Sequence, residues 1–108
     1  MMNQFEERQK GFEARFVRDQ ELSFRLAARR NKLLGLWAAE RLGLPAGEAA
    51  QAYAQTIVAA DFQAPGDDDV IAQLRSDFAA KGAEISEAEL RAELARAAAE
   101  AQKQLAEG

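Results

Sequence analysis

ARRNKLLGLWAAE, residues Ala28–Glu40, decides how the rest of the chain is read. The basic pair Arg29-Arg30 and then Lys32 lead into the densest run of large apolar residues, Leu33, Leu34, Leu36 and Trp37, the single Trp. On a helix advancing about 100° per residue, Leu26, Leu33, Leu34 and Trp37 share one face. The spacing predicts the anchoring half of a long first helix, with Leu22 and Leu26 leading into its core face. Gly35, beside Trp37, is small enough for another helix to approach closely. Arg29, Arg30 and Lys32 could meet a phosphate, but surface ion pairs or a protein interface are the plainer use of such residues.

Upstream, 1–18 is charged and carries Phe5, Phe12 and Phe16 at spacings of seven and four. On a helix these rings form a stripe about 40° wide. Arg8, Lys10, Glu13 and Arg15 sit around them. Gly11 costs about 1 kcal/mol against Ala in a helix, so the segment is expected to be marginal and frayed when alone. The rings either pack onto the body of the protein or fill a groove in a partner. An aromatic stripe on a terminal segment weakened by Gly suits the second use.

Downstream, turn signals divide the chain. Gly43 and Pro45 stop the first helix. Ala64-Pro65-Gly66 stops a second, Ala-rich helix whose Tyr53, Ile57 and Ala60 share a face. Asp67-Asp68-Asp69 opens a third as dipole-complementing and capping carboxylates, with Val70, Ile71, Leu74 and Phe78 inside. Ser86-Glu87-Ala88-Glu89 reads as a capping box with Ile85 as its staple residue, opening a fourth helix with Leu90, Leu94, Ala97, Ala98, Ala101 and Leu105 inside. The expected boundaries are 19–42, 46–63, 67–81 and 86–105. Short connections predict an all-α, antiparallel four-helix bundle over 19–108, with a long first helix and a flexible N-terminal segment, 1–18.

Composition narrows the function classes. A chain of 108 residues makes one small domain. It has no Cys and no His, which removes disulfides, thiol nucleophiles, the usual zinc sites and imidazole acid–base chemistry. No Gly-rich phosphate loop is present, and Ser23 and Ser86 have no His to activate them. No catalytic residues, metal ligands or cofactor are therefore expected, and the chain is read as a non-enzyme. With neither a signal segment nor a bilayer-length apolar run, a cytoplasmic protein without direct membrane insertion is expected. Residues 1–43 hold nine Lys/Arg against six Asp/Glu, a balance of +3, and the remainder hold five against twelve, −7, giving the net −4. Two functions remain from the residues alone. One is a regulatory protein that lays its N-terminal helix in a groove of a larger enzyme. The other is a small nucleotide- or nucleic-acid-binding module using the basic first helix. Acidic residues interleaved among the basic ones favour the first and argue against nucleic acid.

Three stretches carry a resemblance: FEERQKGFEARFVRDQEL at Phe5–Leu22, ARRNKLLGLWAAERLG at Ala28–Gly43 and, more loosely, AYAQTIVAADF at Ala52–Phe62. They resemble the zeta-type inhibitor subunit of the F1-ATPase of alphaproteobacteria, closely over the first 60 or so residues and by length and helix pattern beyond. The resemblance implies a four-helix bundle that inhibits ATP hydrolysis by ATP synthase. It implies that the N-terminal segment becomes helical as it inserts at a catalytic α/β interface, reaches the γ rotor and blocks rotation. Partners would be the F1 α, β and γ subunits at the cytoplasmic face of the inner membrane, with weak nucleotide binding a lesser possibility. Mapped onto this chain, Phe5, Phe12 and Phe16 would be anchors, and Arg8, Lys10, Glu13 and Arg15 would set register and charge complementarity.

Overall fold

The first helix, α1, runs Gln4–Arg41 without a break. Its 38 residues span about 57 Å at roughly 1.5 Å per residue. It is followed by α2, Glu48–Ala60, α3, Asp68–Ala80, and α4, Glu87–Glu107. The computed structural model describes the backbone of residues 4–61 and 67–107 and the side chains of residues 18–61 and 67–107. These residues form four helices and no strand, so the protein is an all-α bundle.

α1 packs along both α2 and α4, and α3 closes the bundle against the same two helices. Contacts along the helices set the register. Gly35 lies on Ala54, while Arg29 and Arg41 reach Gln104 and Glu89. α1 is thus antiparallel to α2 and α4. By that register α4 ends near the level of Leu26, and residues 18–25 are all exposed. Leu22, expected to lead into the core, is 49% exposed because neither flanking helix reaches it.

The buried arc of α1 also differs from the sequence expectation. Leu34, Ala38 and Ala39 are fully buried with Asn31, whereas Leu33 and Trp37 only flank the core. Held between two helices, α1 has this arc enclosed and leaves Leu33 and Trp37 at its edges. Trp37 packs against Phe78 with ring centroids 6.1 Å apart and planes tilted by 32°, and the Arg41 guanidinium lies 5.5 Å from the indole centroid. Gly35 allows a close approach of α1 to α2: a Cβ there would stand 2.6 Å from the Ala54 Cα. The inner face expected for α3 holds, with Val70, Ile71, Leu74 and Phe78 at most 2% exposed; that of α4 holds at Leu90, Leu94, Ala97 and Ala101, while Ala98 and Leu105 are only half-buried at its edge.

Helix ends follow local chemistry. Gly43, at φ +80°, permits the bond from Leu44 N–H to the Ala39 carbonyl that closes α1. Ser86 Oγ accepts from Glu89 N–H at 3.0 Å, which satisfies one free donor of α4. The Glu89 carboxylate turns away to Arg41 at 3.0 Å. Asp67 caps nothing through its side chain. It pairs with Arg30, and Asp68 pairs with Arg91, because cations from α1 and α4 are within reach.

Tyr53 ties α2 to α3 by donating to Asp77 Oδ2 at 2.7 Å. Burial, the hydrogen bond and the Asp77 charge push the phenol well above its ordinary value. A raised folded-state pKa contributes stability that is complete below about pH 10 and lost as pH rises beyond it. Tyr53 is the only Tyr. Phenolate absorbance should therefore be absent at pH 10 in the folded protein and should appear on further alkalinisation together with loss of helical dichroism. Ionisation centred near pH 10 with the helices intact would contradict the buried pairing.

Candidate functional site

The fold divides the basic run Arg29-Arg30-Asn31-Lys32. Arg30 points inward, its side chain 17% exposed, and bridges Asp61 at 3.6 Å and Asp67 at 3.1 Å. It also donates through Nε to Asn31 Oδ1 at 3.1 Å. It joins α1 to the residues on either side of 62–66 and is engaged within the fold. Arg29 and Lys32 face the other way. With Arg25 they line a groove of about 700 Å³ whose far walls are Gln55 and Val58 of α2 and Gln104 and Leu105 of α4. Arg29 Nη1 donates to Gln104 Oε1 at 2.9 Å, a neutral partner.

Sequence reasoning grouped Arg29, Arg30 and Lys32 because they are adjacent. The helical signal was different: Arg18, Arg25, Arg29 and Lys32, at spacings of seven, four and three, lie within about 60° on one face. Arg18, Arg25 and the exposed Phe24 beside them were missed.

Asn31 was also missed as a core residue. It is 1% exposed, and its Nδ2 has no hydrogen-bond partner among the described residues. An unpartnered buried donor costs about 1–3 kcal/mol. Asn31→Leu, close in size, should raise stability by about 1 kcal/mol after loss of the Arg30 contact, read as a higher urea midpoint. A lowered midpoint would mean that the amide stabilises the fold.

The side chains of Phe5, Arg8, Lys10, Phe12, Glu13, Arg15 and Phe16 lie outside the described residues. Their backbone belongs to α1. On so long a helix, positions 5, 12, 16, 23, 27, 34 and 38 follow one another by seven and four and stay within an arc of about 100°. The phenylalanine positions thus continue the register of the buried seam past the end of α4. Asp19, Gln20, Ser23 and Phe24 surround a shallow surface depression at the base of that extension.

No group of three or more acidic residues among those described could hold a metal ion, and no described helix is long and apolar enough to cross a membrane. A sequence model of the family described as ATPase inhibitor subunit zeta matches residues 2–104, nearly the whole chain. The chain belongs to that family. No curated protein sequence matches it. The zeta family match includes both the N-terminal extension of α1 and the three helices that hold its other half.

Proposed function

We propose that the protein inhibits ATP hydrolysis by the F1 sector of ATP synthase, inserting the N-terminal part of α1 at a catalytic α/β interface and contacting the γ rotor so that rotation in the hydrolysis direction is blocked. Its work would be done in the cytoplasm, at the cytoplasmic face of the inner membrane. The observation that carries this reading is the match to the inhibitor family over residues 2–104, which takes in the extension. The form of α1 supports it: one helix is held between α2 and α4 over its second half and has no described helix alongside its first. A bundle that grips the base of a projecting helix transmits force to it without a hinge.

In this reading Phe5, Phe12 and Phe16 supply apolar anchor area, because a few aromatic residues usually dominate an interface. Arg8, Lys10, Glu13 and Arg15 set register and electrostatic fit. The protein supplies no catalytic group of its own and acts by occupancy.

The test is a titration of ATP hydrolysis by the F1 sector of the same organism, with the full chain and with a chain lacking residues 1–18. The full chain should inhibit and the shortened one should not. Equal inhibition by both would move the site into the bundle, and no inhibition by the full chain would remove the reading.

A further inference from the structure

Four of the eleven described Arg and Lys are paired with carboxylates within the bundle. Arg30, Arg41 and Arg91 each reach a carboxylate of another helix or its flank, and Arg96 pairs with Glu93 on its own helix. Among the described residues, Arg75, Lys81 and Lys103 are without an ion pair and scattered over α3 and α4, whereas the unpaired Arg18, Arg25, Arg29 and Lys32 share one face of α1. All four are exposed. No carboxylate among the described residues comes within 4.0 Å of any of them. Glu21 stands between Arg18 and Arg25, but from Arg25 to Lys32, about two turns, this face of α1 carries no acidic residue.

The cations do not stand alone. Phe24 is 58% exposed at the mouth of the groove, and half-buried Val58 and Leu105 line its walls. A site for a bare polyanion needs charge and does not need apolar walls. An apolar groove rimmed by Arg and Lys fits a helix that has an apolar stripe and acidic residues along its edges. Protein interfaces combine aromatic and Arg residues in this way.

We infer that this face of α1 is a second docking surface, which takes an acidic amphipathic helical segment of an F1 subunit and holds the bundle beside the site where residues 1–18 act. The inference rests on the inhibitor reading and adds a separate contact to it. The N-terminal positions stop rotation, and the basic groove sets how readily the complex forms. Charges at such a rim act mainly on association rate and salt dependence.

The test uses the full chain with Arg25→Glu, Arg29→Glu and Lys32→Glu together. These residues are exposed, so unchanged helical dichroism and thermal midpoint serve as the folding control. At low salt the concentration for half-inhibition should rise about 10- to 100-fold, with inhibition still complete at saturation. Added salt should weaken the unaltered protein more than the triple variant, whose repulsion from an acidic segment salt screens, so the gap between them should narrow. Equal potency and equal salt dependence would overturn the inference while leaving the inhibitor reading intact.

A second full-chain variant, with Phe5, Phe12 and Phe16 all replaced by Ala, separates the two contacts. It should be retained on immobilised F1 at low salt without inhibiting, and adding the three charge reversals should abolish retention. Should the unaltered chain be retained through the basic face yet never inhibit, the inhibitor reading fails and the surface stands. Failure of the unaltered chain to be retained at all overturns both. Phosphatidylglycerol vesicles and inorganic tripolyphosphate are the control probes. Charge-dependent binding to either, with F1 potency unaffected by the reversals, would overturn the assignment of the groove to a protein segment.

Discussion

Gly35→Val should destabilise the bundle by about 3 kcal/mol or more, the largest stability effect expected of a single substitution in α1. The first added atom is already misplaced: a Cβ would lie 2.6 Å from the Cα and 3.0 Å from the Cβ of Ala54. The obstacle is backbone of a neighbouring helix, so no change of rotamer relieves it. α1 and α2 must move apart, which loosens Leu34, Ala38 and Ile57, all essentially inaccessible to solvent. Overpacking of a well-filled core costs about 1–3 kcal/mol and sometimes more. Gly35→Ala is the sharper comparison. It gains about 1 kcal/mol of helix propensity, so on an open helix face it would stabilise. Here it should still lose about 1–2 kcal/mol, because separating two helices outweighs that gain. Urea unfolding followed through Trp37, the only Trp, measures both. A Gly35→Ala protein as stable as the original would mean that the helices do not approach at this point.

Simultaneous replacement of Phe5, Phe12 and Phe16 by Ala should raise the concentration needed for half-inhibition of F1 by at least about 100-fold. Burying one Phe side chain is worth about 1.5–3 kcal/mol, and each 1.4 kcal/mol is tenfold in affinity. Three such anchors, even with strong non-additivity, exceed the roughly 2.8 kcal/mol that corresponds to 100-fold. Bundle stability should change little, because the cover of α1 by the other helices begins only near Leu26. The urea midpoint read at Trp37 checks that half of the expectation. Retained potency would remove these residues from the inhibitory contact. A large loss of stability would show instead that the rings pack on the bundle.

These expectations draw on different levels of the molecule. The helical class and the inner faces of α3 and α4 were legible because local periodicity carries them: Val70, Ile71, Leu74 and Phe78 recur at helical spacing and are buried. Gly43 and Ser86 were legible as punctuation, since a positive φ and a side-chain cap are local needs. The inhibitor family was legible from long, compositionally unusual stretches in the first half of the chain, and the match over residues 2–104 agrees with it.

What the sequence by itself determined was therefore the class of fold, the faces of the two later helices and the family. The rest depended on which helices lie beside α1 and how far they extend. Asn31 reads as one residue of a basic surface run, yet it is 1% exposed because α1 is enclosed on two sides. Leu22 reads as core and stands in solvent because α4 ends before reaching it. Arg30 reads as the twin of Arg29, yet one is tied to Asp61 and Asp67 and the other borders a groove. Periodicity along one helix records which residues share a face, but whether that face meets a neighbour or water is set by contacts between segments distant in sequence. Only the tertiary structure decided that.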